Sequence, residues 1–426
     1  MNDCDDHLIE TRVPVSAGGL FDGFFAVGAS RKYSKDTFLD MRARRVFDMM
    51  ALACQSKLYP FQLPLETRSG PWVQAEGRRM LMLSSYDYLG LIGDPRVDEA
   101  AIEAVRKYGT GTGGVRLLTG TLDLHHQMER ELAEFKGTQE AITFSSGYLA
   151  NLAVVAALLT PQDRVILDAL AHRSLVDACR LAGSHLQRFR HNEMESLRHE
   201  LQNGPAANRT LIVSDGVFSM DGDICHLPEL IALKKEFGCY LMIDESHASG
   251  VLGEHGRGTD EHFGVPATDV DIWTGSLAKG IPAAGGFVAT SRELGVLLQH
   301  AAAPFIFSAA LCPSAAAAVR ATLAILKEEP DRPARVKRNG DVLRDGLREL
   351  GYDTGMSATP IVPVLFRDEP EAAIFTGQLR DLGIIATPIM FPAVPLGSAR
   401  LRLCATAAQT PEVLDFALDA FRRLRR

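Results

Sequence analysis

Cysteine is scarce and unpatterned in this chain: the seven residues, at positions 4, 54, 179, 225, 239, 312 and 404, contain no Cys-x-x-Cys and no zinc-like pair. Most are expected to be small core residues or inert thiols, and no cysteine nucleophile is expected. Positive charge is not in excess either. With 45 Lys and Arg against 53 Asp and Glu, the net charge of -8 excludes a broad basic surface for nucleic acid or anionic membrane. No apolar stretch approaches a membrane span, and the start, Met-Asn-Asp-Cys-Asp-Asp, lacks the basic end and apolar core of a signal peptide. A soluble, cytoplasmic protein is expected. What the chain does have is size: 426 residues at 46% apolar content can bury one large core and a smaller lobe.

The text divides into three stretches: an amino-terminal extension with a helix and a hairpin (1–90), a large domain (91–325) and a small carboxyl-terminal domain (326–426). Apolar residues recur at helical spacing over Asp36 to Gln55, which predicts a helix that packs on the body or on a partner subunit. Trp72 to Leu83 reads as two strands joined at Glu76-Gly77. Asp94 to Tyr108 fits a helix with proline near its start and glycine just past its end. Apolar runs then alternate with helical stretches to about residue 325, predicting βα units and an α/β fold with a mainly parallel sheet. The strand candidates are Ala141 to Phe144, Arg164 to Asp168, Leu211 to Ser214, Tyr240 to Asp244, Ile272 to Thr274 and Gly286 to Ala289. After a helix over Cys312 to Lys327, strands near Ile361 to Phe366 and Arg400 to Cys404 mark a smaller α+β lobe.

Candidate chemistry sits at the strand ends. Asp244 and His247 close the apolar run Cys239 to His247, and Lys279 ends Thr274 to Lys279. A strand-end carboxylate can keep a pyridine nitrogen protonated, and a lysine on a nearby turn can form a Schiff base, the arrangement that pyridoxal phosphate requires. The plainer reading of Asp-x-x-His is a loop satisfied by its own hydrogen bonds. Gly109, Gly111 and Gly114 satisfy G-x-G-x-x-G, but a dinucleotide fingerprint needs a strand before it, and here a helix precedes. Ser146, Gly147 and Tyr148 open a predicted helix whose free amides and positive dipole end suit a phosphate, simple serine capping being the alternative. Arg400 and Arg402 share one face of a strand, and an arginine there can grip a carboxylate through two parallel hydrogen bonds.

With these stretches in view the chain resembles an α-oxoamine synthase, a branch of the fold-type I pyridoxal phosphate-dependent transferases (aminotransferase class I/II-like). The resemblance rests on Tyr108 to Thr121, Phe144 to Asn151, Asp215 to Asp223, Asp244 to Gly258, Lys279 and Ala399 to Arg402, in the right order from about Leu83 to the end. It implies a pyridoxal 5'-phosphate enzyme that condenses a small amino acid with an acyl thioester and releases carbon dioxide. It further implies that the turn at Ser146 to Tyr148 binds phosphate, that His172 stacks on the pyridine ring, and that Ser219 and His247 lie near the phenolate oxygen. Ser276 stands where relatives often place a threonine on the phosphate, and Arg402 matches the residue that holds the amino acid carboxylate, leaving Arg400 a surface or loop contact. Lys279 is then the imine lysine and the α-proton base, and His247 or His172 could polarise the thioester carbonyl. A homodimer is implied, with Ser308 of one subunit reaching the phosphate of the other.

The chain also departs from the pattern. Tyr86 replaces a common asparagine beside the substrate, as in serine palmitoyltransferases, and favours serine over alanine or glycine. Gln409 ends a motif that usually closes with Ala-Ala-His-Thr, Gly280-Ile281-Pro282 replaces a more common turn, and Ala309 stands where threonine often follows Ser308. The acyl donor stays open between coenzyme A and an acyl carrier protein, for which the segment Asp36 to Gln55 is a candidate dock. An aminotransferase, a decarboxylase on the same fold, a non-catalytic subunit and a nicotinamide-binding protein are the competing readings.

Overall fold

A computed structural model describes residues 59–425 except 392, with a few helical residues between 44 and 51. The helix expected over Asp36 to Gln55 falls mostly outside the described residues. In chain order the strands are β1 (Trp72–Ala75), β2 (Arg78–Met82), β3 (Glu140–Phe144), β4 (Arg164–Asp168), β5 (His185–Phe189), β6 (Thr210–Asp215) and β7 (Tyr240–Asp244). They continue with β8 (Ile272–Ala278), β9 (Pro282–Thr290), β10 (Ile361–Leu365), β11 (Ile384–Ile385), β12 (Thr387–Ile389) and β13 (Arg400–Cys404).

A seven-stranded sheet in the order β3-β9-β8-β7-β6-β4-β5 is built from residues 140–290. The five strands from β8 to β5 pair in parallel, and β9 runs against both of its neighbours. Both faces are covered, because alternate residues of each strand enter opposite cores: Ile166, Ile212 and Ile243 one, Val165, Val213 and Met242 the other. The expected mainly parallel sheet is thus present. The strand that the sequence pattern did not reveal, β5, has the text His-Leu-Gln-Arg-Phe and lies at the sheet edge, half exposed, so it carries no apolar run.

The predicted helix after Asp94 runs over Pro95–Tyr108, with the Asp94 carboxylate accepting from the Arg96 amide at 2.9 Å and Gly109 at φ 83° closing it. A helix, not a strand, therefore leads into Gly109, which removes the premise of a dinucleotide fingerprint. The predicted hairpin also forms, through Glu76 and Gly77, both at positive φ as a tight two-residue turn requires. It gains a third strand from far along the chain: β11 pairs in parallel with β2. Leu81 and Leu83 share a core with Leu343, Val362, Leu401 and Phe421, around the small sheet β10-β13-β12. No helix among the described residues is long and apolar enough to cross a membrane.

The turn after β7 is fixed from behind by buried charge. Lys136, at the end of the helix Asp123–Lys136, places Nζ 2.5 Å from Asp260 Oδ1, 3.3 Å from Glu245 Oε2 and 3.0 Å from the Arg257 carbonyl. All three side chains are buried, and the ammonium lies 3.7 Å from the Trp273 ring centroid. Glu245 also accepts from the Thr259 amide at 3.1 Å. Removing the cation would strand two carboxylates away from water, so Lys136→Met should cost about 3–5 kcal/mol in urea unfolding. A loss below about 1 kcal/mol would show that the cluster does not anchor this turn.

Candidate active site

The carboxyl ends of β4, β6 and β7 are all aspartates, Asp168, Asp215 and Asp244, at the edge where open α/β sheets place their ligands. Beside them a cavity of about 230 Å³ is lined by residues that include Ser146, His172, Asp215, Asp244, His247, Ser276 and Lys279. Lys279 enters from the turn between β8 and β9. Its Nζ lies 2.9 Å from His247 Nε2, and His247 Nδ1 lies 2.8 Å from the hydroxyl of Tyr88, which is fully buried. Burial lowers the Lys279 amine to about 8, against the pull of Asp244 and Asp215. Burial also holds His247 well below its ordinary value, helped by the charges of Lys279 and Arg402.

Asp244 is held by two donors, Asn151 Nδ2 to Oδ2 at 2.7 Å and the Ser246 amide to Oδ1 at 2.8 Å. Asn151 also donates to Ser174 at 2.8 Å, and the Ser174 hydroxyl lies 2.7 Å from His172 Nδ1, so a continuous chain links His172 to Asp244. His172 opens the helix Arg173–Ala182 and presents its outer face to the cavity, while the protein packed around it lowers its imidazole.

Ser146 caps the helix Gly147–Leu158 by accepting from the Leu149 amide at 3.2 Å. The first intrahelical bond comes from Ala150 to the Ser146 carbonyl, so the Gly147 and Tyr148 amides are left open for an anion. Gly286 is forced, since a Cβ there would lie 2.4 Å from the Gly147 nitrogen, and Gly147 is tightly packed, a Cβ there lying 3.1 Å from Ser276. Tyr148 contributes its backbone only, since its hydroxyl points away to Asp177 at 2.7 Å. Ser308 lies 3.1 Å from Ser145 of its own chain.

Arg402 is buried, with its guanidinium against the Tyr86 hydroxyl and stacked 4.5 Å from the Tyr86 ring centroid, and its Nε has no partner among the described residues. Arg400 is not on the surface but makes the expected loop contact, with the Asp221 carboxylate and the Met220 carbonyl at 3.3 Å. Gln409 accepts from the Thr406 amide at 3.0 Å, which closes the turn after β13. Of the residues singled out from the sequence, Ser146, Gly147, Tyr148, His172, Ser219, Asp244, His247, Ser276 and Lys279 line this cavity. Tyr86 and Arg402 are not in its lining but contact each other, with the Tyr86 ring centroid 6.0 Å from Lys279 Nζ, while Arg400, Ser308 and Gln409 are held elsewhere. Four were missed: Tyr88, Asn151, Asp215 and Ser246. All four lie inside or beside stretches already recognised, but only folding shows which side chains turn inward.

The cavity suits pyridoxal phosphate: helix amides for the phosphate, a strand-end carboxylate for the ring nitrogen, a buried lysine of lowered pKa, and a carboxyl oxygen of Asp215 left without a partner. A larger groove, about 700 Å³, lies between the helices Pro95–Tyr108, Asp123–Lys136 and Pro313–Glu328. It holds no strand-end group, and its Arg320 is already paired with Glu131.

A family model described as aminotransferase class I and II matches residues 78–421. The chain belongs to that family. Among its relatives, 8-amino-7-oxononanoate synthase of Symbiobacterium thermophilum is 42% identical, covering 87% of this chain and 95% of its own. Among solved structures, serine palmitoyltransferase from S. paucimobilis superposes with a TM-score of 0.88 at 32% identity, over 91% of this chain and 98% of that one. An 8-amino-7-oxononanoate synthase from Francisella tularensis reaches 0.70 at 26% identity, over 81% and 97%. Both kinds of relative are α-oxoamine synthases, so this chain is a fold-type I acyltransferase of that group, with pyridoxal 5'-phosphate as cofactor.

Were Lys279 the residue that takes the cofactor aldehyde, it would do so as a free amine. The rate at which apo-protein takes up pyridoxal phosphate covalently should therefore rise with pH around a midpoint near 8, where burial places the amine, rather than near its ordinary 10.5. Stopped-flow absorbance across pH 6.5 to 10 reads this directly, with Lys279→Ala as the control that attaches none.

Proposed function

We propose that the enzyme condenses serine, in preference to alanine or glycine, with an acyl thioester to give an α-aminoketone and carbon dioxide. One observation carries the proposal: Arg402 and Lys279 both approach Tyr86, with Arg402 Cζ 4.5 Å and Lys279 Nζ 6.0 Å from the same ring centroid. A carboxylate gripped by Arg402 would thus lie beside the same ring that Lys279 approaches.

Pyridoxal phosphate, when bound, supplies the electron sink that makes an α-carbanion accessible. Ser146, Gly147, Tyr148 and Ser276 would hold its phosphate, Asp244 its ring nitrogen, His172 its face, and Ser219 and His247 its phenolate side. Lys279 is the attachment point and, once freed, moves the α-proton through Nζ; its lowered pKa keeps it a competent base near neutral pH. His247, 2.9 Å from that nitrogen, is placed to orient it and to meet the thioester carbonyl. Arg402, with its buried Nε open, fixes the carboxylate until it leaves as carbon dioxide.

The working unit on this reading is a cytoplasmic homodimer. Leu118 and Phe307 are 77% and 81% exposed in neighbouring segments, joined by the Val115–Ala309 bridge next to Ser145 and Ser308. Apolar side chains so placed suit a subunit contact at the phosphate turn. The acyl carrier is either coenzyme A or a carrier protein.

Carboxyl-labelled serine, alanine and glycine, each offered with acyl-CoA and acyl carrier protein thioesters, test the reaction. One amino acid should give label as carbon dioxide and free thiol in equal amounts. Accumulation of pyridoxamine phosphate, or of an amine without thiol release, would instead establish an aminotransferase or a decarboxylase. Arg402→Lys should raise the KM for the amino acid roughly 10- to 100-fold, the worth of lost charge-assisted hydrogen bonds, while kcat changes less. An unchanged KM would remove Arg402 from the carboxylate site.

A further inference from the structure

The three strand-end aspartates do not have equal surroundings. Both oxygens of Asp168 are satisfied: Oδ1 accepts from Leu170 at 2.8 Å and pairs with His191 at 2.9 Å, and Oδ2 accepts from Asn192 at 3.0 Å. Asp244 accepts one N–H donor on each oxygen. Asp215 differs. Its Oδ2 accepts from the His172 amide at 3.0 Å, while Oδ1 is buried with no partner among the described residues, in a side chain that borders the cofactor cavity. It sits directly across from Asp244 in the β6–β7 register, with 5% of its surface exposed.

A carboxylate cannot rest cheaply in that position. Charge on Asp215 would face Asp244 and Asp168, with Lys279 the nearest cation, and one oxygen would be desolvated without a donor. Burial, reinforced by those two carboxylates, pushes its acid well above the ordinary aspartate range. The remaining groups nearby do not reverse this. His191 is committed to Asp168 and Asp223; burial alone would lower it, but these two carboxylates raise it to about 10, and His172 offers Asp215 only its amide.

We propose that Asp215 is a protonated carboxylic acid of the cofactor site, whose Oδ1 donates a hydrogen bond to bound pyridoxal phosphate while negative charge at the ring stays with Asp244. The proposal rests on the reading of this cavity as the pyridoxal phosphate site. Asparagine is the isostere of the neutral acid: its carbonyl can accept from the His172 amide and its NH2 can donate into the cavity. Alanine can do neither.

The test uses the full chain loaded with pyridoxal phosphate. In infrared difference spectra, wild type minus Asp215→Asn, a carboxylic acid C=O band should be present at neutral pH. Asp215→Ala should bind the cofactor about tenfold more weakly, as expected for one lost hydrogen bond in a buried site, and Asp215→Asn should recover most of that loss. The midpoint at which the visible chromophore titrates should move by less than about 0.3 pH units in Asp215→Asn, because no charge has been removed. The proposal is overturned if the infrared band is absent, if Asp215→Asn lowers that midpoint by a full unit, or if Asp215→Ala binds as tightly as wild type. If Asp215→Ala does not fold, the infrared band and the Asp215→Asn titration still decide. A wild-type protein that never attaches the cofactor at Lys279 would instead sink the site reading, and the proposal with it.

Discussion

The site depends on packing an amine, two imidazoles and two carboxyl groups around one small cavity, with a third, Asp168, close enough to act on Asp215. In such a place each ionisable group must find an opposite charge, find donors for its oxygens, or give up its charge. Each outcome is present here. Lys279 and His247 are pressed toward their neutral forms, Asp168 and Asp244 are wrapped in N–H donors, and His191 keeps its proton between two carboxylates. The lowered pKa of Lys279 follows from the same low polarity that makes the other groups costly to bury.

The sheet makes this crowding possible. Parallel strands in register end at one level, so Asp215 and Asp244 arrive side by side without any loop having to carry them. Close approach of the helix Gly147–Leu158 to β8 and β9 then brings amides to the same level, at a spacing only glycine permits at position 286. Behind the site, the Lys136 cluster holds the Glu245 turn, so that His247 leaves β7 in a fixed direction. Reactive side chains are thereby mounted on rigid elements and short turns.

Much of this was legible in the text of the chain, because it depends on local order. Apolar runs that end in aspartate, a glycine after a helix, and a serine before one are one-dimensional signals, and β4, β6, β7 and the helix after Asp94 were placed from them. Edge and short strands were not. β5 has too little apolar content to stand out, and β11 and β12 span two and three residues. Within the site, Lys279, Asp244 and His247 carried their chemistry in residue type and position, while Arg402 was told from Arg400 only by the family resemblance. Tyr88 and Asn151 did not, since a tyrosine two places past Tyr86 or an asparagine inside a helix acquires meaning only from what it touches. Lys136 was equally opaque: at the end of a helix it reads as a solvated dipole partner, and only packing reveals it as a buried cation.

The three-stranded sheet β1-β2-β11 ties the two ends of the described chain together. Arg78 of β2 reaches the carbonyl of Asp381, 303 residues later, and the contact between Tyr86 and Arg402 spans 316. A hairpin made from residues 72–82 therefore waits with one edge unpaired and a leucine face uncovered until residues 384–385 have left the ribosome. Closure of so long a loop is entropically slow, and nothing shorter can replace it. A chain cut off before residue 384 would carry Lys279 and its carboxylates, yet would lack both the strand that completes the sheet and the arginine facing Tyr86. The strand over 384–385 and the arginine at 402 thus reach the hairpin from more than three hundred residues away.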